Sequence, residues 1–96
     1  MGDKELYRQK KQAQLDEWKA EIDKLKAKAS GASADAQMEM DRRIKAIESK
    51  VEDAKTKLSE LAKAGEGAWE SAKDGVESAW DTLKSAVSDA ASKLKG

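Results

Sequence analysis

The chain has 96 residues, of which 40% are charged, and its 19 basic side chains balance its 19 acidic ones. So short and charged a chain forms one domain with a thin apolar core, and it has no overall field to attract a polyanion, so we expect no nucleic-acid partner. Without cysteine or histidine it lacks the thiol nucleophile, the commonest general base and the commonest zinc ligands, so we expect no enzyme activity, no small-molecule substrate and no metal or other cofactor.

The composition also predicts the fold class. Proline is absent, and the dominance of Lys, Glu, Asp, Ala, Ser and Leu is typical of long helices and coiled coils. No apolar run approaches the length of a membrane span, and no signal peptide is visible, so the expected location is cytoplasmic. The sequence predicts an all-α protein that folds as an antiparallel three-helix bundle, or as a long helical hairpin, with coiled-coil packing.

The first predicted helix covers residues 3–29, with Asp3 as a suitable N-cap. Its apolar residues follow heptad spacing and begin a continuous apolar face that we call the seam, here Leu15, Trp18, Ile22 and Leu25. Before Leu15 the pattern is poor, so the first turns are expected to fray or to pack only through Leu6 and Tyr7. The basic side chains at residues 8–11 are predicted to form a solvated helix face.

A loop is predicted at residues 30–33, where Gly31 can adopt the left-handed conformation that ends many helices and Ser33 can cap the next helix. The second predicted helix, residues 34–64, has the most regular pattern in the chain. Its apolar spacings alternate four and three without a slip, and its seam residues are Met40, Ile44, Ile47, Val51, Leu58 and Leu61. Such a regular heptad predicts left-handed coiled-coil packing.

Residues 65–67 are predicted to form either a break between two helices or a kink within one continuous helix. Two glycines within a helix cost about 2 kcal/mol relative to alanines, which favours a turn. The apolar phase nevertheless continues from Leu61 through Gly65 to Trp69, as it would in one unbroken helix. In that case the second and third helices would form one long arm of a helical hairpin, and a second chain would be needed to cover the apolar face of that arm.

The third predicted helix, residues 68–95, contains an eleven-residue repeat in which residues 68–78 resemble residues 79–89. That period predicts a nearly straight or slightly right-handed stripe, unlike the heptads before it, and directs attention to this helix for function. Its seam residues are Trp69, Val76, Trp80, Leu83, Val87 and Leu94. The tryptophans are expected to be large core side chains; the alternative is that Trp69 and Trp80 anchor the helix in a membrane interface.

The stretch AWESAKDGVESAWDTLKSA at residues 68–86, together with Tyr7 and residues 14–18 and 22–25, resembles a group of small bacterial coiled-coil stress-response proteins. The period of the repeat is also similar to that of late-embryogenesis-abundant and exchangeable-apolipoprotein helices. The first resemblance implies a bacterial, stress-linked helical protein and offers no catalytic residues.

Two functions follow from these patterns. The leading hypothesis is a non-enzymatic interaction or structural protein, a helical bundle that forms a homo-oligomer or docks a helix of a protein partner through seam positions left uncovered. The alternative is an amphipathic protein, either lipid-surface-binding or protective, that folds on membranes or on water loss.

Overall fold

The computed structural model of the chain describes residues 2–93, which form three α-helices and, within that range, no strand. They are α1 (Asp3–Ser30), α2 (Ala34–Lys63) and α3 (Glu66–Lys93). They lie side by side in a bundle of 51 × 20 × 17 Å, so the predicted all-α three-helix bundle is confirmed. The predicted helix end at residue 95 and the seam residue Leu94 lie outside the described residues.

The short connections make α2 antiparallel to both of its neighbours. Lys26 Nζ, four residues before the end of α1, lies 2.7 Å from Glu48 Oε2 at the middle of α2. On the other side of α2, Gly75 of α3 lies next to the side chain of Lys57. α1 and α3 each pack closely on α2 and approach one another less closely, so α2 is the central helix of the packing.

The ends of α1 and α2 differ from their predicted capping. Gly2, not Asp3, is the N-cap of α1, and Asp3 already lies within the first turn. Gly31 has φ −95° and ψ 0°, so it is not in the left-handed region; its N–H instead donates to the carbonyl of Lys28 in a tight final turn. Ser33 does occupy the N-cap position of α2, but its side chain makes no capping hydrogen bond.

The second connection consists of Ala64 and Gly65 alone. α2 ends at Lys63 and α3 begins at Glu66, so Gly67, which was predicted to lie in the break, is helical. Ala64 is extended, with φ −69° and ψ 134°, and the N–H of Ala68 donates to the carbonyl of Gly65 over 3.0 Å. No described residue has a positive φ, so this turn does not require the conformational freedom of glycine.

The buried side of α3 lies on the apolar stripe predicted for this helix. Its buried residues are spaced four, three, four and three apart, and they are Val76, Trp80, Leu83, Val87 and Ala90. Val76 and Val87 are also eleven residues apart, so these spacings fit a heptad and an eleven-residue period alike. The expected difference in period between α3 and the other helices therefore stays a prediction.

Candidate functional site

The predicted seam residues lie in the interior of a single chain. All but two of the described ones are buried: Leu15, Ile22, Leu25, Met40, Ile44, Ile47, Val51, Leu58, Leu61, Val76, Trp80, Leu83 and Val87. Trp18 and Trp69 are half-buried against this core. The large hydrophobic side chains that are exposed, Leu6 and Met38, lie near opposite ends of the bundle. The described surface therefore leaves no continuous stretch of the seam uncovered.

The most elaborate contact between two helices joins α1 to α3. Because these helices approach each other least closely, large side chains fill the space between them. We call this group the α1–α3 cluster, and it consists of Tyr7, Lys11, Trp18, Trp69, Lys73, Glu77 and Trp80. It brings three of the predicted seam residues, the tryptophans, together with Tyr7, one of the two residues through which the first turns were expected to pack. The cluster also contains Lys11, Lys73 and Glu77, for which the sequence pattern predicted no such contact.

Glu77 is the polar centre of the cluster. The Tyr7 hydroxyl donates to Glu77 Oε1 over 2.6 Å, and Lys11 Nζ donates to Glu77 Oε2 over 3.1 Å. The Lys11 side chain is only 13% exposed, whereas that of Glu77 is 45% exposed. Each carboxylate oxygen of Glu77 thus accepts a hydrogen bond from one side chain in the N-terminal part of α1. These contacts hold a part of α1 that has no buried apolar residue, since the first one is Leu15.

Aromatic rings surround these polar contacts. Tyr7 meets Trp69 edge to face, with 6.0 Å between ring centres, and Trp18 lies 6.2 Å from Trp80. Lys11 Nζ is 5.4 Å from the centre of the Tyr7 ring and 5.9 Å from that of Trp80. Such cation–π contacts contribute about 0.5–1 kcal/mol each at partly exposed sites.

One polar atom of the cluster has no partner. Trp80 Nε1 is buried and makes no hydrogen bond. An unsatisfied buried donor costs free energy, about 1–3 kcal/mol by mutational comparison. The indole of Trp80 therefore stabilises the bundle through its apolar area and not through its N–H.

The charge states of Glu77 and Tyr7 suit a structural contact between α1 and α3 better than they suit proton transfer. The hydrogen bond from Tyr7 lowers the pKa of Glu77, and Lys11 and Lys73 act in the same direction against the effect of burial. Burial raises the pKa of Tyr7, and its hydrogen bond to Glu77 adds to that rise. Near neutral pH the carboxylate is charged and the phenol is neutral, and neither pKa is moved toward the value that acid–base catalysis needs.

We expect this cluster to make the stability of the bundle depend on pH. Because the pKa of Glu77 is depressed in the folded state, its stabilisation is present above its ordinary value of 4.5 and is lost as the pH falls through the folded value. Because the pKa of Tyr7 is raised, stability also falls above its ordinary value of 10.0. Tyr7→Phe, which keeps the ring and removes the donor, should cost about 1 kcal/mol at neutral pH.

The measurement is the free energy of unfolding by urea for the wild type and Tyr7→Phe at neutral and at acidic pH. The difference between the two proteins should shrink on acidification, because protonation of Glu77 weakens the interaction that the variant lacks. All other carboxyl groups are common to both proteins, so they cancel in the comparison. A difference that stays constant with pH would contradict the role given to Glu77.

Sequence reasoning missed Lys11, Lys73 and Glu77. The available signal was spacing, because Tyr7 and Lys11 continue the seam at intervals of four before Leu15. The expected packing of Leu6 is wrong, since its side chain is 54% exposed, and the first turns are helical from Asp3. The prediction of a solvated basic face is also wrong for Lys11, whose side chain is largely buried and whose Nζ lies beside two aromatic rings.

The rest of the described surface has open grooves between helices. One of them, of about 620 Å³, lies between α1 and α2; Ala13, Leu58 and Ala62 are among the residues that line it, with Arg8 and Lys55 beside them. Within residues 2–93, no group of three or more His, Cys, Asp or Glu side chains could hold a metal ion. None of the helices in that range has the length and apolar character needed to cross a bilayer.

Comparison with known proteins provides no relative from which a site could be transferred. No protein-family model, curated protein or solved structure matches the chain. The similarity to bacterial stress-response coiled coils therefore rests on sequence pattern alone and stays a prediction.

Proposed function

We propose that this chain is a non-enzymatic helical interaction protein that acts through its seam, by self-association or by docking a helix of a partner. The observation that carries the proposal is the burial of the seam along all three helices. Burial of apolar area of this kind is the dominant favourable term in most protein–protein association. The exposed hydrophobic side chains Leu6 and Met38 are too isolated to form such an interface.

Association through a buried seam requires one helix to be displaced from the closed bundle. An incoming amphipathic helix with the same heptad spacing would restore the apolar contacts that the displaced helix gives up. The net cost is then mainly the entropy of association, and the exchange is favoured at high concentration. A stress-linked role in a bacterial cytoplasm is part of this proposal on the resemblance alone.

A lipid-surface or protective role is the second candidate. It is favoured by the half-buried Trp18 and Trp69, because amphipathic aromatic rings suit a membrane interface. Charge disfavours it for anionic lipid, since the described acidic residues of α3 outnumber its three described lysines, Lys73, Lys84 and Lys93. In this role the bundle would open onto the lipid and not onto another helix.

Light scattering over a wide range of protein concentrations tests the leading proposal. We expect a mass that rises above one chain while the helicity measured by circular dichroism stays high. A mass of one chain at every concentration would remove self-association. The control is the double variant Leu6→Ser and Met38→Ser, which should associate like the wild type; loss of association in this variant would assign it to the exposed side chains.

Vesicles separate the two candidates. For an interaction protein, vesicles of neutral or anionic lipid should leave the helicity and the tryptophan emission unchanged. A blue shift of the emission on adding vesicles, together with a change in helicity, would support the lipid-surface role instead.

A further inference from the structure

We propose that the partner is a second copy of this chain and that Ala64 and Gly65 are the hinge. In this exchange α2 and α3 straighten into one helix, and α3 of each copy packs on α1 and α2 of the other. The inference rests on the proposed function, because it uses the same seam.

The bent form of the hinge is held by few interactions. Only two residues are non-helical, and the flanking backbone bonds are those from Ala64 to Leu61, at 3.2 Å, and from Ala68 to Gly65, at 3.0 Å. Gly65 has no side chain with which to cap α3. No residue there has a positive φ, so the bend does not depend on a backbone conformation that only glycine adopts.

The other connection is less suited to straightening. It contains three non-helical residues, 31–33, of which Gly31 and Ser33 are poor helix formers. Ser33 also stands at the N-cap of α2 with Asp35 in the first turn, and both residue types favour a helix start at that point. The Ala64–Gly65 hinge therefore opens at lower cost.

A straight helix through the hinge keeps the seam on one side. Leu61, Gly65 and Trp69 are four residues apart in turn, so all three fall on one helix face. A helix over residues 34–93 would be about 90 Å long, whereas the closed bundle is 51 Å long. Such a helix carries α3 away from the α1 and α2 of the same copy. The seam residues of α3, and those of α1 and α2 that α3 covered, are then exposed to water.

A second copy supplies that cover without any new contact. The surface that α3 leaves carries Tyr7 and Lys11, whose partner is Glu77, and Trp18, which lies 6.2 Å from Trp80. Glu77 and Trp80 both lie on α3, so α3 of another copy restores the polar contacts to Glu77 and the contact between the two tryptophans. The exchange adds helical hydrogen bonds at the hinge and costs association entropy, so the balance depends on concentration.

Substitutions at Gly65 move this balance in opposite directions. Gly65→Ala favours the straight helix, since alanine is better than glycine within a helix, and a Cβ at this position meets no atom within 4 Å. Each chain of the dimer gains about 1 kcal/mol from alanine within the straight helix. We therefore expect dimerisation to be tighter by roughly 30-fold, equal to about 2 kcal/mol for the two chains.

Gly65→Pro should favour the bend. A proline interrupts a straight helix, while the extended conformation of Ala64, at φ −69° and ψ 134°, is the one preferred before proline. The matched control is Gly75→Ala, because Gly75 is helical in both forms and a Cβ there would lie 3.8 Å from Lys57 Cδ, an ordinary contact.

Sedimentation equilibrium on the four proteins, with small-angle X-ray scattering on the dimers, tests the inference. The expected order of dimer stability is Gly65→Ala, then the wild type and Gly75→Ala, then Gly65→Pro, and the dimers should be nearly twice as long as the monomer. Gly65→Pro dimers as tight as those of the wild type, or dimers no longer than one bundle, would overturn the hinge and leave self-association standing. Monomers for all four proteins at every concentration would overturn both.

Discussion

Replacing Ile47 by aspartate is expected to unfold the bundle. Ile47 is 3% exposed near the middle of α2, the helix on which both others pack. The substitution removes a buried side chain, at about 2–5 kcal/mol, and places a carboxylate without a partner in the core, which adds several kcal/mol more. A domain of this size has a total stability of about 5–14 kcal/mol, so the loss takes up most or all of it.

The control for this variant is Ala46→Asp, which puts the same charge one residue earlier on an exposed position of α2. Because aspartate is a poorer helix former than alanine, the substitution should cost about 0.7 kcal/mol, far less than Ile47→Asp. Thermal melting followed by circular dichroism compares the two. Equal melting temperatures for Ile47→Asp and the wild type would mean that α2 does not pack through this face.

The second large effect is expected at Trp80. Trp80 and Trp69 hold equivalent places in the eleven-residue repeat, but Trp80 is 2% exposed and Trp69 is half-buried near the end of the bundle. Trp80→Ala should therefore cost about 3–5 kcal/mol. Trp69→Ala should cost about half as much, since less apolar area leaves water there.

Urea unfolding of the two alanine variants gives this comparison directly. Because the substitution is identical and the host helix is the same, differences in helix propensity cancel. Equal losses at the two positions would mean that the repeat, and not the depth of burial in the bundle, decides which side chains contribute to stability.

Local sequence pattern was enough to place the helices. Heptad spacing in residues 40–61 and the glycines at 31 and 65 put the helix ends within two residues of those in the structure, wherever the structure describes them. The choice between a bundle and a long hairpin could not be made this way, since the apolar phase of Leu61 and Trp69 suits either. That choice depends on the backbone at Ala64, which no spacing rule reports.

The α1–α3 cluster lay beyond sequence reasoning for a different reason. A lysine at a seam position, such as Lys11, is usually interpreted as a gap in the apolar face. In the bundle, the wide space between α1 and α3 accepts its long stem, and Glu77 neutralises its charge at 3.1 Å. Whether a side chain such as Lys11 is buried depends on the distance between α1 and α3, and these helices are far apart in the sequence.

The position of the aromatic rings determines what intrinsic fluorescence can observe. The chain has one tyrosine, three tryptophans and no phenylalanine, and all four rings belong to the α1–α3 cluster. Emission therefore monitors one interface of the three, whereas circular dichroism monitors every helix. For a two-state bundle the two signals change together. If α1 or α3 leaves the bundle first, fluorescence changes while the helical signal persists, so the wild-type protein carries its own probe of opening.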